Sequence, residues 1–205
     1  MNPLLRVRRT LGLLRRLRGA ARGVAIQRLL EGRATRQRRL DRVLASRPSS
    51  VVFICHGNIM RSAFALEYAR QHYPQLADTM LGAGTHATRG RGAQHSAITV
   101  ATEMGIALDT HGATPFSELA LDHEVLLLCM DRANEANVAA QRPELADRVF
   151  LIGDIDDGAG QHTSDTERVV SDPYALGDEA TRQAFQRIVE LVGKWAAALG
   201  TSRPG

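Results

Sequence analysis

The 205-residue chain has a formal net charge of +4, is 44% hydrophobic, and contains two cysteines, Cys55 and Cys129. That composition can supply one domain-sized core with an extension, and two cysteines exclude a disulfide scaffold and point to a reducing compartment. No run of 18 apolar residues exists, so no membrane-spanning helix is expected.

The charge is split along the chain. Fourteen arginines against Glu31 and Asp41 give residues 1–49 a charge of +12, which leaves −8 for the rest. The chain therefore divides into a basic extension, residues 1–49, and an acidic domain, residues 50–200. In the extension Leu4, Val7, Leu11 and Leu14 recur at helical spacing between arginines. This fits an amphipathic helix on an anionic membrane surface. A nucleic-acid tail would have no use for the leucines, so no nucleic-acid partner is expected. An organelle presequence and a poorly ordered extension are the other readings.

From Ser50 onward, strands alternate with helices. SVVFIC is short, apolar and β-branched, as in a buried parallel strand. SAFALEYARQHY reads as a helix, and residues 79–83 as a weaker strand. Gln94 to Met104 reads as a helix that Gly105 stops. Glu124 to Cys129 forms another buried strand, followed by a helix from Arg132 to Ala140 and a strand from Arg148 to Ile152. A polar, turn-rich stretch then leads to a closing helix, Glu179 to Leu199, with apolar Ala184, Ile188, Leu191 and Trp195. This order predicts an α/β fold with a parallel sheet covered by helices on both faces.

In such a sheet, ligands bind beyond the carboxyl ends of the strands. Cys55 leaves the first strand there, in Cys55-His56-Gly57-Asn58-Ile59-Met60-Arg61-Ser62. Gly57 lets the backbone turn, and Asn58 tolerates a left-handed conformation or ties the loop through its amide. The successive amides of His56, Gly57, Asn58, Ile59, Met60, Arg61 and Ser62 can converge on one anion, assisted by the start of the next helix. Arg61 adds a planar two-pronged donor for phosphoryl oxygens. The same field favours Cys55 as a thiolate, which is set up for nucleophilic displacement. The His56 side chain either touches phosphate or faces outward. Downstream, Asp172 in Ser171-Asp172-Pro173-Tyr174 can supply the proton that a leaving oxygen needs.

The stretch VVFICHGNIMRSA, with Ala83-Gly84-Thr85, CMDRAN at 129–134 and VSDPYA at 170–175 in the same order, resembles the low-molecular-weight protein tyrosine phosphatase family. The resemblance runs from Ser50 to Leu199. It implies four parallel strands with the phosphate loop after the first. It also implies Cys55 as nucleophile, Arg61 as phosphoryl clamp, Asp172 as general acid and then base, and Tyr174 as an aromatic wall of the substrate cleft. Asn58 and Ser62 would brace the loop, and neither metal nor organic cofactor would be needed. A tyrosine-phosphorylated protein, such as a membrane-associated tyrosine kinase, is the implied partner, and the implied location is cytoplasmic, peripheral at the membrane. The chain departs from the family pattern at Met60 (usually cysteine), Ala63 (usually proline), Gly82 (commonly a loop-bracing serine) and Ala175 (aromatic in some members). Thr85 to Ser96 lacks the usual Asp-x-Arg-Ala. Other functions on the same loop are a thiol-based arsenate reductase, a phosphoarginine phosphatase and a phosphotyrosine-binding module without turnover. The first needs a relay cysteine and finds only Cys129. The second tends to have threonine where Ile59 stands. The third has no need of Asp172.

Overall fold

Strand β1 (Val51–Cys55) is buried along its whole length, and its neighbours explain why. The computed structural model describes Gly23, residues 31–159 and residues 166–200. The amphipathic pattern at Leu4–Leu14 lies outside the described residues. β2 (Met80–Gly84), β3 (Leu126–Cys129) and β4 (Val149–Leu151) complete a four-stranded sheet in the order β2-β1-β3-β4, in which every pairing is parallel. β1 is thus an inner strand, and the loop leaving it is flanked by the ends of β2 and β3.

Side chains alternate across the sheet, as the pleat requires. Val51, Phe53 and Cys55 join one core with Leu126, Leu128 and Phe150, whereas Val52 and Ile54 join a second core with Leu127, Cys129, Val149 and Leu151. The first core is covered by helices α2 (Arg61–His72), α3 (His95–Glu103) and α5 (Gly177–Gly200), and the second by α4 (Arg132–Gln141). The expected stripe Ala184, Ile188, Leu191 and Trp195 is the buried face of α5. There Phe185 stacks on Phe64 of α2, with ring centroids 3.9 Å apart. Gly105 ends α3 region as expected, in a left-handed conformation with φ of 76°. Among the described residues, no helix is long and apolar enough to cross a membrane.

Helix α1 (Arg33–Ala45) lies inside the segment that charge assigned to the extension, and it packs on the domain. Leu40 and Val43 enter the first core. Arg39 stacks on the Phe150 ring at 4.0 Å, donates to the carbonyls of Asp147 (3.0 Å) and Val149 (2.8 Å), and pairs with Glu31. Arg36 reaches Asp154 at 3.3 Å. Asp154 is fully buried; it accepts from Arg168 Nε at 2.6 Å and from the Leu151 amide at 2.9 Å. Burial pushes its carboxyl up from the ordinary range, and the guanidinium groups of Arg168 and Arg36 oppose that shift.

Two stability measurements follow. Asp154→Ala strands Arg168 and Arg36 without their shared carboxylate and should cost about 3–5 kcal/mol in denaturant unfolding. A chain begun at Ser50 loses α1 and should melt below one begun at Glu31; equal melting temperatures would show that α1 adds nothing.

Candidate active site

The loop from Cys55 to Ser62 closes on itself around Asn58. Asn58 is the left-handed residue of the loop, with φ of 51°. Gly57 stays outside that region, so the freedom expected of glycine is not what makes the turn. The Asn58 side chain locks the conformation: Nδ2 donates to Ser62 Oγ at 2.8 Å, and Oδ1 accepts the Thr114 amide at 2.9 Å. Its carbonyl accepts from His111 Nε2 at 2.7 Å. The Ile59 carbonyl is held by the Gln94 amide at 2.9 Å.

Cys55 Sγ sits at the base of this loop, buried but for 3% of its surface. The Asn58 amide donates to it at 3.2 Å, and Ser62 Oγ lies 3.0 Å away. Ser62 Oγ is also 3.2 Å from the Ala83 carbonyl. One hydroxyl proton thus has two acceptors. As a thiol, Cys55 can donate to Ser62 while Ser62 donates to Ala83. As a thiolate, it receives the Ser62 proton together with the Asn58 amide, and both stabilise negative sulfur.

Arg61 opens α2 and is 1% exposed. Its Nη1 donates to Asp131 Oδ2 at 2.8 Å and to the Val170 carbonyl at 2.9 Å, and Nη2 pairs with Asp172 Oδ2 at 3.0 Å. Five N–H groups serve these three acceptors, so the fork keeps donors for an incoming oxyanion. Asp131 is held from the other side, where it caps α4 by accepting the Asn134 amide at 2.8 Å. Asp172 is half-exposed and follows Val170, whose amide bonds to the Met130 carbonyl at 2.8 Å. The structure therefore brings Cys55, Arg61 and Asp172 to one end of the sheet. Tyr174, two residues on, is 53% exposed. Ile59 and Met60 are buried among core residues, so only their backbone is placed to meet an anion.

The end of β2 braces the same loop. The Thr85 and His86 amides donate to the carbonyls of Cys55 (3.0 Å) and His56 (2.8 Å). Gly84 passes so close that an added Cβ would fall 2.7 Å from the Asn58 nitrogen and the His56 oxygen. The His56 side chain faces outward, stacked on His86. Among the described residues, no cluster of three or more His, Cys, Asp or Glu could hold a metal.

His111, Thr114 and Gln94 were not legible as loop supports, because each lies far along the chain in a segment without a motif. Asp131 carried a signal: it follows β3 at the carboxyl edge, next to β1.

The model of the family described as low molecular weight phosphotyrosine protein phosphatase matches residues 50–204. The chain belongs to that family. It is 27% identical over 155 residues to the low molecular weight protein-tyrosine-phosphatase Wzb of Escherichia coli, covering 76% of this chain and 98% of that protein. It is 30% identical over 152 residues to a putative low molecular weight protein-tyrosine-phosphatase of Klebsiella pneumoniae, covering 74% and 97%. Among solved structures, the tyrosine phosphatase Wzb of Escherichia coli in complex with sulphate matches with a TM-score of 0.62 and 30% identity, over 75% of this chain and 99% of that one. The YwlE arginine phosphatase matches with a TM-score of 0.63 at 24% identity, over 75% and 97%, a likeness of fold.

The close approach at Gly84 generates a test. In Gly84→Ala the new methyl meets backbone that cannot move without deforming the loop. Affinity for inorganic phosphate, read by titration calorimetry, should fall about tenfold or more, equivalent to ~1.4 kcal/mol. Unchanged affinity would show that the loop does not depend on this contact.

Proposed function

We propose that the chain hydrolyses protein phosphotyrosine through a cysteinyl-phosphate intermediate. The observation that carries this reading is the arrangement of Cys55 Sγ beneath the loop, with the buried Arg61 guanidinium linking that loop to Asp172.

The loop amides and Arg61 bind the three non-bridging phosphoryl oxygens and stabilise the charge that builds on them in the transition state. Cys55 Sγ attacks phosphorus from the side opposite the ester oxygen. An S–P bond forms, the P–O bond to the tyrosine breaks, and the proton of the Asp172 carboxylic acid passes to the phenolic oxygen. The Asp172 carboxylate then takes a proton from water as the water oxygen attacks phosphorus. The S–P bond breaks, phosphate leaves and the thiolate is restored. Phosphate entry gives the Arg61 fork new acceptors, which releases Asp172 for proton transfer. Asn58, Ser62 and His111 act as positioning residues, and Tyr174 lines the route to the loop.

Removing Cys55 should abolish turnover of p-nitrophenyl phosphate, while Cys55→Ser protein still binds phosphate. Asp172→Asn gives a more discriminating result. Phenolate of tyrosine, with an ordinary pKa near ~10, leaves poorly without a proton. The loss in kcat should be about 10²- to 10⁴-fold for phosphotyrosine peptides and smaller for p-nitrophenyl phosphate, whose leaving group is more acidic. Equal losses on both substrates would remove Asp172 from the acid role, and full activity of Cys55→Ser would remove the mechanism.

The partner class is a tyrosine-phosphorylated protein at a membrane, such as a membrane-associated tyrosine kinase, approached from the cytoplasmic side. The support is the leucine and arginine spacing before residue 15. Because α1 packs on the domain, the informative deletion ends at residue 30. That protein should lose binding to vesicles containing anionic lipid and keep its turnover of p-nitrophenyl phosphate. Equal vesicle binding by both forms would eliminate the membrane role.

A further inference from the structure

Asp154, Arg168 and Arg36 are buried charged residues that the proposed reaction does not use. Asp154 follows the end of β4, and its Oδ1 accepts from Arg168 Nε at 2.6 Å and pairs with Arg36 Nε of α1 at 3.3 Å. Arg168 Nη2 pairs with the same oxygen. Oδ2 accepts the Leu151 amide at 2.9 Å. The stretch that carries Asp154 is itself fixed, because Trp195 of α5 donates to the Ile152 carbonyl at 2.7 Å. The backbone of Arg168 is held at the same place. Its carbonyl accepts the Gly153 amide at 3.1 Å, and a Cβ on Gly153 would fall 2.5 Å from the Arg168 Cα. Arg168 is thus anchored by side chain and by backbone to the residues after β4.

The segment fixed in this way leads straight to the proposed acid. The Val170 amide donates to the Met130 carbonyl at 2.8 Å, and the Val170 carbonyl accepts Arg61 Nη1 at 2.9 Å. Asp172 then reaches Arg61 Nη2 at 3.0 Å. Ser171 and Asp172 are themselves exposed, so the buried residues around them, Arg168 and Val170 before and Pro173 after, set where the carboxylate lies. We propose that Asp154 and Arg168 are positioning residues for the general acid Asp172, and that Arg36 makes α1 part of the same clamp. This rests on the phosphatase reading, since it gives that reaction's acid its support. A buried carboxylate suits the task. Out of water it needs its cationic partners in place, so a shift of Arg168 leaves charge unpaired. Apolar packing is non-directional and would hold the segment less strictly. One consequence is that α1, which lies before the matched family region 50–204, takes part in proton transfer by holding the acid's segment.

A double-mutant cycle separates positioning from bulk stability. Arg168→Met removes one guanidinium and leaves Asp154 the Leu151 amide and Arg36. Well below its melting temperature, this protein should lose about tenfold in kcat on a phosphotyrosine peptide, as expected of a misplaced catalytic group. The loss on p-nitrophenyl phosphate should be smaller, because its leaving group needs the proton less. In an Asp172→Asn background, Arg168→Met should change kcat on the peptide by less than about twofold, since its effect passes through the missing acid. Arg36→Met should repeat the pattern with smaller losses, and it completes the cycle if Arg168→Met does not fold. Hydrogen exchange gives a readout independent of turnover: either variant should speed exchange of the Val170 amide more than that of the β1 amides. Equal losses on both substrates, an undiminished effect in the Asp172→Asn background, or unchanged exchange at Val170 would each overturn the clamp. Absence of turnover in the parent protein would count against the phosphatase reading, and exchange at Val170 would still decide whether the clamp holds this segment.

Discussion

The catalytic end of the molecule depends on one backbone conformation, the left-handed turn at Asn58. A residue with a Cβ pays about 1–2 kcal/mol to sit there. Asn58 offsets that with four bonds: its amide to Cys55 Sγ, its side chain to Ser62 and Thr114, and its carbonyl from His111. At about 1 kcal/mol each, those bonds exceed the strain. They also tie the loop to α2 and to the segment after α3 at once. Gly84 then allows β2 to press against the back of the turn. These contacts hold the loop from three sides.

Charge is the second constraint. Arg61 is buried between Asp131 and Asp172, and with both carboxylates ionised that cluster is net negative. A phosphate dianion would be repelled by it. In the proposed mechanism a proton on Asp172 removes that repulsion and is the one passed to the leaving group. In that mechanism, binding of the dianion and readiness of the acid are coupled through one guanidinium. Asp131 is the less exposed of the two carboxylates, and its other oxygen caps α4.

The legible part of the protein follows from chemistry that is local in sequence. Strand β1, the turn and the start of α2 are contiguous, so Cys55, Asn58, Arg61 and Ser62 carry their spacing on the page. Asp172 was legible only because an Asp-Pro pair precedes the last helix in the family order; by itself the pair reads as a turn. His111 was not legible, since a single histidine in a turn-rich stretch has no pattern, and its partner is a backbone carbonyl 53 positions away. α1 was hidden by its charge. Arg36 and Arg39 read as solvated residues, yet their guanidinium groups find Asp154, Glu31, two carbonyls and the Phe150 ring. Composition reports charge and cannot report whether the charge is paired.

The two cysteines illustrate how strand register limits redox chemistry. Family members that carry a cysteine at position 60 have a second thiol beside the nucleophile, whereas here Met60 is packed into the first core. Cys129 is the only other thiol in the chain. β3 pairs with β1 so that Cys129 stands opposite Ile54, one residue from Cys55. Because side chains alternate with a period of two, that one-residue offset puts Cys129 in the second core and Cys55 in the first. Burial, and then the carboxylates of Glu135, Asp131 and Asp154, push the Cys129 thiol well above its ordinary value, which keeps it protonated and unreactive. A disulfide between the two would have to cross the sheet. The same geometry leaves no second thiol of this chain beside Cys55 for the relay that a thiol-based arsenate reductase needs.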